Sequence, residues 1–245
     1  VFDVFSNRKY HLNQLNSNPL IKKEGFKYTQ SNPNKISNIS LSGINVSIDE
    51  NLYIDALDGN VAIKDTTIKT TQNNGGEITV SGKEIKIEGS SKLISQGEQS
   101  GGLIQIGGSW QNSNPYIRQA VYTEIGEDVF INASAKDHGN GGEIVIWSDI
   151  KNPFSSTVVS GTFKVDGGVL SGDGGRIETS GANLVIGENI SVSMGSNYGN
   201  PGKWLLDPED YVVTSSVAIA LVNALASGDV EISTTCSSDT YNGCS

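Results

Sequence analysis

The chain has 245 residues, which is long enough to bury one continuous core. It holds 29 glycines and 6 prolines, and its 17 basic and 27 acidic residues give a net charge of −10. Proteins that bind nucleic acids usually carry clusters of Lys and Arg that contact the phosphates, so this net negative charge disfavours a DNA or RNA partner. Apolar residues make up only 36% of the chain but occur in short alternating runs, which favours many short strands over disorder.

The sequence contains no pattern typical of a membrane-spanning segment. Its longest apolar run, residues 217–225, is about half as long as the ~18 residues that a transmembrane helix needs, so membrane insertion is not expected. Residues 1–5 begin without Met and lack a basic segment followed by an apolar core, which a signal peptide would have. The sequence is therefore interpreted as a mature or excised fragment of a longer protein.

A Gly-Gly-x-Ile element recurs along the chain, and each copy begins a run of alternating apolar and polar residues. The four copies are Gly75-Gly76-Glu77-Ile78, Gly101-Gly102-Leu103-Ile104, Gly141-Gly142-Glu143-Ile144 and Gly174-Gly175-Arg176-Ile177. They begin at positions 75, 101, 141 and 174, which are 26, 40 and 33 residues apart. Two further short apolar runs follow the first and the fourth copy, with turn residues between them, which predicts three strands per repeat.

This repeat predicts an all-β fold, a right-handed parallel β-helix (β-solenoid) with three strands per coil over residues 37–214. Glycine suits its corners because glycine accepts positive φ and because stacked coils leave no room for a side chain. At roughly 20 to 25 residues per coil, about eight coils are expected. The uneven spacing predicts insertions at residues 109–122 and 149–154, on one face of the solenoid that is often the binding face.

The two flanking regions differ from the repeats. Residues 1–36 lack the Gly-Gly element and are interpreted as an N-terminal entry segment or a capping structure, with a linker as the alternative. Residues 215–245 are predicted to hold one short helix over 215–228, with Ser as N-cap and Gly228 after the last turn, then a returning strand over 229–233 and a cysteine-bearing tail. The helix has a broad apolar face that is predicted to pack against the solenoid, made of Val217, Ile219, Leu221, Val222 and Leu225.

Both cysteines, Cys236 and Cys244, lie within the last ten residues and are separated by residues that can form a loop. A local disulfide between them would indicate an oxidising compartment and would stabilise the terminus by roughly 2 to 3 kcal/mol. Two free thiols in a frayed tail are the alternative that the sequence leaves open.

The sequence offers no set of residues for nucleophilic or metal chemistry. The only histidines are His11 and His138, the second in a turn, and no Gly-x-Ser-x-Gly motif occurs. A stacked calcium site would need a nonapeptide period, which is absent. The acids that could form a cluster lie in turn sequences, where Asp caps a neighbouring amide, and they are Asp137, Asp149, Asp166 and Asp173. No catalytic residue, metal ligand or cofactor is therefore assigned.

Aromatic residues of the first insertion form the candidate binding loop. Trp110, Tyr116 and Tyr122 offer aromatic faces that suit carbohydrate or protein contacts. Trp147 follows an alternating run and Trp204 precedes two leucines, so both are predicted to fill the core or a corner.

A series of motifs follows in a fixed order between residues 43 and 233. Its members are Gly101-Gly102-Leu103-Ile104-Gln105-Ile106-Gly107-Gly108, Asn132-Ala133-Ser134-Ala135, Gly139-Asn140-Gly141-Gly142-Glu143-Ile144-Val145-Ile146-Trp147-Ser148-Asp149, Gly172-Asp173-Gly174-Gly175, Gly202-Lys203-Trp204-Leu205-Leu206-Asp207-Pro208 and the helix and strand over 216–233. This ordered series resembles the repeat region of the filamentous-haemagglutinin-like exoproteins of bacterial two-partner secretion.

The resemblance implies a right-handed parallel β-helix that a Gram-negative bacterium exports through an outer-membrane two-partner secretion pore. It implies a secreted or cell-surface, extracellular location and roles in adhesion, aggregation or biofilm matrix, with a host or neighbouring-cell surface or its glycans as partner. Cys236 and Cys244 are similar in position and spacing to a cysteine pair that some of these adhesins use for surface tethering.

Two functions are expected from the sequence as a whole. The first is a non-catalytic, secreted structural or adhesive rod, with end-to-end stacking of open coil ends into a homopolymeric filament as a variant. The second is a carbohydrate-binding or carbohydrate-cleaving β-helix protein, which would need carboxylates or basic groups that converge in a groove walled by loops.

Overall fold

The computed structural model describes residues 26–29, 38–49 and 51–234. They form twenty β-strands, a 3-10 turn at Trp110–Asn112 and one α-helix, α1 (Ser215–Leu225). In chain order the strands are β1 (Phe26–Thr29), β2 (Ile39–Ser42), β3 (Asn45–Ile48), β4 (Leu52–Asp55), β5 (Asn60–Lys64), β6 (Thr67–Thr70), β7 (Glu77–Ser81), β8 (Glu84–Glu88), β9 (Lys92–Ile94), β10 (Leu103–Ile106), β11 (Tyr122–Ile125), β12 (Phe130–Asn132), β13 (Glu143–Trp147), β14 (Ser156–Val159), β15 (Thr162–Lys164), β16 (Arg176–Gly181), β17 (Asn183–Ile186), β18 (Ser191–Ser193), β19 (Gly202–Pro208) and β20 (Gly228–Ile232).

The strands form three parallel sheets, named A, B and C. Sheet A has the order β1-β4-β7-β10-β13-β16-β19-β20, sheet B the order β17-β14-β11-β8-β5-β2, and sheet C the order β18-β15-β12-β9-β6-β3. Up to β19, each sheet takes every third strand, so the chain passes through all three sheets once per coil. The structure therefore confirms a parallel β-helix with three strands per coil and one short helix near the C-terminus.

Apolar side chains in register stack from coil to coil to form the core. Each Gly-Gly-x-Ile element opens a strand of sheet A, and its isoleucine points inward. The resulting ladder of buried side chains runs through Ile78, Ile104, Ile144, Ile177 and Trp204. The fully buried indole of Trp204 donates from Nε1 to Thr179 Oγ1 at 3.1 Å, which confirms its predicted place in the core.

The coils differ in length because some of them carry an insertion between their first and second strands. Residues in register lie 26 positions apart from Ile78 to Ile104 and 40 apart from Ile104 to Ile144, as the glycine spacing predicts. The described residues contain six complete three-strand coils, and β19 is the first strand of a seventh. The expectation of about eight coils is wrong. It assumed roughly 20 to 25 residues per coil, and the insertions make several coils longer than that, so fewer coils fit into the same length.

The solenoid begins before residue 37. Strand β1 lies within the segment 1–36 that was assigned as a leading or capping segment, and it pairs in parallel with β4 from Phe26 opposite Leu52 to Thr29 opposite Asp55. His11 lies outside the described residues, and so does the tail 235–245 with Cys236 and Cys244. The predicted disulfide therefore stays a prediction.

Helix α1 lies against the end of the solenoid, where it contacts β18 and β20. Its N-cap is Thr214, whose Oγ1 accepts a hydrogen bond from the amide of Val217 at 3.4 Å, so the prediction of a serine N-cap is wrong. The helix ends at Leu225, and Gly228 opens β20 instead of following the last helical turn. The returning strand that the sequence predicts is confirmed by the pairing of β20 with β19.

The buried face of α1 is narrower than the sequence predicts. Val217, Ala220 and Ala224 are buried, and Leu221 is partly buried against the core. The other three predicted contact residues are exposed, and they are Ile219, Val222 and Leu225. A helix that packs on one surface buries side chains on one side only. Because apolar residues occur on all sides of α1, the sequence does not indicate which side is buried.

Replacing Thr214 with Ala should destabilise α1 by about 1 kcal/mol, because it removes the N-cap acceptor. We expect faster hydrogen exchange of the first-turn amides of α1, with the exchange in β10 and β13 unchanged. Ser215→Ala is the matched control and should leave the exchange unaltered. An equal effect of the two substitutions would contradict the assignment of Thr214 as N-cap.

Candidate functional site

Both predicted insertions leave the solenoid at the corner between sheets A and B. Residues 107–121 join β10 to β11, and residues 148–155 join β13 to β14 in the next coil. The amide of Asp149 donates to the carbonyl of Ala120 at 2.8 Å, and Trp147 Nε1 donates to Gln119 Oε1 at 3.0 Å. The prediction that the insertions share one face is confirmed, and residues 107–121 and 148–155 are called the loop corner.

The two insertions repeat one turn. Asn114 is followed by Pro115 and Tyr116, and its side-chain Oδ1 accepts from the amide of Tyr116 at 3.0 Å. Asn152 is likewise followed by Pro153 and Phe154, and its Oδ1 accepts from the amide of Phe154 at 3.1 Å. An Asn side chain in this position mimics a backbone turn, and the proline ring fixes the φ of the proline itself. Each loop therefore holds an aromatic residue at the tip of a pre-set turn.

These aromatic residues face water. The side chain of Tyr116 is 95% exposed and that of Phe154 is 87% exposed. Binding residues often lie on loops that a rigid scaffold positions. Sequence reasoning identified Tyr116 but missed Phe154. The repeated Asn-Pro-aromatic tripeptide at 114–116 and 152–154 was the signal that could have found it.

The other two candidate binding residues have different positions. Trp110 is half-buried, with its ring centroid 4.1 Å from the guanidinium carbon of Arg176. Tyr122 opens strand β11 and is not in the loop, and its hydroxyl donates to Glu124 Oε2 at 2.9 Å. The predicted loop boundary at 122 is therefore too late, and Tyr116 alone of the three stands free at a loop tip.

The first part of the insertion folds back onto the outer face of sheet A. Gln111 and Asn112 have left-handed backbone angles, with φ of 45° and 52°, which make a sharp turn above the sheet. The amide of Gln111 then donates to Glu178 Oε2 at 2.8 Å. The side chains next to Glu178 in register, Val145 and Leu205, are buried as well, although they point outward. The insertion therefore seals this part of the sheet from water.

Glu178 is an acid in this sealed layer and is fully buried. Burial raises the pKa of Glu178 to about 7, and the carboxylates of Asp207 and Glu143 add to the rise, whereas hydrogen bonds from the Gln111 amide and from Ser180 oppose it. A perturbed acid can indicate a catalytic group. A substrate cannot reach Glu178 under the loop, so its role is to anchor the loop.

Three of the four aspartates that the sequence placed in turns, Asp149, Asp166 and Asp173, have that role. Asp166 Oδ1 accepts from Ser193 Oγ at 2.6 Å, and Asp173 Oδ1 accepts from the amide of Asn200 at 2.7 Å. Asp149 accepts a loop amide at 3.1 Å. Each carboxylate holds a turn of its own coil or of the next, as the turn sequences predict.

The described part of the chain contains no cluster of side chains suited to metal binding, and its one histidine lies in a bend. His138 is exposed in a bend, as predicted, with its Nδ1 at 3.2 Å from Ser171 Oγ. Among residues 26–29, 38–49 and 51–234, no three His, Cys, Asp or Glu side chains are placed to hold a metal ion.

A groove with a volume of about 730 Å³ lies at the corner between sheets C and A. Its floor is formed by the glycine pairs that open the strands of sheet A. These glycines are required by coil stacking, since a Cβ on Gly142 would lie 1.9 Å from the carbonyl oxygen of Gly102. No side chain fits at this corner. The stacked glycines therefore form the bottom of the groove, and the residues on either side of each glycine pair form its walls.

The sides of the groove are polar. Asn74, Asn140, Asp173 and Asn200 lie before the strands of sheet A, and Glu143, Arg176, Lys203 and Asp229 lie at or near their first residues. Glu143 pairs with Arg176, with 2.5 Å between Oε2 and Nη2, and Lys203 pairs with Glu231 outside the groove. Sequence reasoning missed this groove, since no single coil contains it.

The fold and both surfaces define an elongated parallel β-helix that carries paired loops at one corner and a groove at another. Comparison with known protein families found no match to the chain, and comparison with curated proteins found no relative. No helix among the described residues is long and apolar enough to cross a membrane.

Proposed function

We propose that the chain is a non-catalytic, adhesive rod that contacts its partner through the loop corner. The observation that carries this proposal is the pair of Asn-Pro-aromatic turns, which hold Tyr116 and Phe154 in water on neighbouring coils. Fixing the backbone of both turns before contact lowers the entropy that binding must overcome. Aromatic residues are also the side chains that most often dominate binding energy at interfaces.

A structural role is supported further by the remainder of the molecule. The coils enclose a filled core made mainly of stacked Ile, Val and Leu side chains, which makes a stiff support for loops. The most perturbed carboxylic acid, Glu178, is sealed under a loop and anchors it. A catalytic role would need an accessible acid or base of this kind.

The proposal includes a cellular setting. The ordered glycine motifs and the following helix and strand resemble filamentous-haemagglutinin-like exoproteins, and this resemblance supports secretion through an outer-membrane pore to the cell surface. Among the described strands, β2 and β17 are the edges of sheet B, and a second copy could pair with the backbone groups of such edges, which supports the filament variant.

Adhesion is expected to depend on the two loop aromatics. Beads coated with the purified chain should bind to epithelial monolayers or to bacterial lawns, and the double variant Tyr116→Ser with Phe154→Ser should reduce the number of bound beads about tenfold. Circular dichroism should not change, because both side chains are exposed. The matched control is Tyr198→Ser, which removes an aromatic residue that is 75% exposed at a different corner.

The control distinguishes a specific surface from general stickiness. Adhesion should be retained in Tyr198→Ser. Equal losses in the control and the double variant would contradict a role for the loop corner, and a wild-type chain that binds to neither surface would contradict the adhesive function itself.

A further inference from the structure

We propose that the groove at the corner between sheets C and A binds a linear, uncharged oligosaccharide along the axis of the solenoid. This inference rests on the proposed adhesive function and names the chemical class of a ligand for it. The groove and the loop corner lie at different corners of the coil, since the groove precedes the sheet A strands and the loops follow them.

The length of the groove fits an extended chain. Its lining comes from six successive strands of sheet A, from β7 to β20. Neighbouring strands lie about 4.8 Å apart, so the five intervals give a length of about 24 Å. An elongated, shallow site of this kind suits a polymer better than a compact metabolite.

The groove offers hydrogen-bonding groups that the protein itself does not use. The side-chain amide of Asn74 and the carboxylate of Asp229 are exposed and make no hydrogen bond within the described residues. Asn140 accepts from the amide of Asp173 through its Oδ1 at 2.9 Å, and its Nδ2 makes no hydrogen bond to another described residue. Amides and carboxylates together provide the donors and acceptors that a polyhydroxylated ligand needs.

The charges of the groove disfavour an anionic polymer. Three carboxylates, from Glu143, Asp173 and Asp229, face two cations, Arg176 and Lys203. Both cations are already held in ion pairs, so the described lining has no unpaired cation to offer to a sulfate, phosphate or uronate group.

An extended peptide is also disfavoured. A peptide added to a sheet needs free backbone groups. The floor has few of these, since the amide of Gly101 donates to the carbonyl of Asn140 and that of Glu143 donates to Gly102. Apolar pockets for peptide side chains are scarce as well, because Leu103 and Pro201 are the only large apolar residues of the lining.

Calorimetry with three hexasaccharides, cellohexaose, maltohexaose and chitohexaose, tests the inference. At least one is expected to bind with a dissociation constant of about 1 mM or tighter, and its disaccharide should bind at least about tenfold more weakly, because it reaches fewer coils. The double variant Asn74→Ala with Asp229→Ala should weaken binding of the hexasaccharide about tenfold. Neither side chain has a hydrogen-bond partner among the described residues, so the described fold should be unaffected.

Asn45→Ala with Asp128→Ala is the matched control, since both side chains are exposed, lie outside the groove and make no hydrogen bond to any part of the chain that the structure describes. The inference is overturned if none of the three hexasaccharides binds, if both double variants weaken binding equally, or if hexagalacturonate or an extended decapeptide binds instead. A chain that adheres to cells but binds no hexasaccharide would overturn this inference alone. A chain that adheres to no surface would contradict the proposed function, whatever the calorimetry gives.

Discussion

Replacing Gly142 with Ala is expected to destabilise the coils around β13 by about 3 kcal/mol. The new Cβ would lie 1.9 Å from the carbonyl oxygen of Gly102 and 2.7 Å from that of Ala133. Both oxygens accept backbone hydrogen bonds at this corner, from the amides of Glu143 and Gly142 respectively, so neither can move away without loss. Faster hydrogen exchange in β10 and β13, together with a lower urea midpoint, would measure the effect.

Gly126→Ala is the matched control for the same chemical change. The atoms nearest to a Cβ there, in Glu88 and Ile87, lie 3.4 Å away, which is an ordinary contact. The control should be neutral or slightly stabilising, because alanine has fewer unfolded conformations than glycine. Unchanged exchange in Gly142→Ala would mean that the coils are not stacked as closely as described.

Replacing Glu178 with Gln is expected to stabilise the chain at pH 8 by about 3 kcal/mol. The pKa of Glu178 is raised from 4.5 to about 7 in the folded chain by burial. Between these values the folded chain keeps a proton that the unfolded chain has lost, so stability falls as pH rises, by about 1.4 kcal/mol per pH unit. Above pH 7 both states have lost it and the dependence ends. Glutamine has no such proton and still accepts the hydrogen bond from Gln111.

The measurement is the free energy of unfolding in urea from pH 4 to pH 8. The difference between Glu178→Gln and the native chain should be small near pH 4, should grow up to pH 7 and should then stay constant. Glu188→Gln is the control, since that side chain is exposed, and its pH profile should match that of the native chain. A profile of Glu178→Gln parallel to the native one would show that the acid is not sealed under the loop.

Much of the fold could be predicted from local patterns. A period of two residues marks a half-buried strand, and paired glycines mark a corner where backbones meet closely. Both properties belong to short stretches such as residues 75–80, so the three-strand coil and its insertions could be predicted from the sequence. The number of coils could not be predicted, because it depends on how many residues of each repeat lie in loops outside the coil.

Helix α1 shows where local patterns fail. Its apolar residues surround the helix, and Ile219 and Val222 look as suitable for the core as Val217 does. The surface formed by β18 and β20 decides which side is buried. Thr214 and Ser215 are likewise equivalent as N-caps until the path of the chain places one of them at the first turn.

The candidate sites divide in the same way. Turn chemistry is local, so the exposed His138 and the capping aspartates were predicted correctly, and the Asn-Pro-aromatic tripeptides could have been. The burial of Glu178 could not be predicted, because the loop that covers it is 67 residues earlier in the chain. The groove could not be predicted either, because it forms only where residues at six neighbouring strands of sheet A lie side by side.

The sequence by itself thus determined the repeat, its glycine corners and the aromatic turns, since each depends on the backbone preferences of neighbouring residues. The tertiary structure decided the face of α1 that is buried, the sealing of Glu178 and the existence of the groove. The physical reason is that these features are contacts between residues one or more coils apart. Such contacts exist only once parallel stacking has fixed which residues share a row.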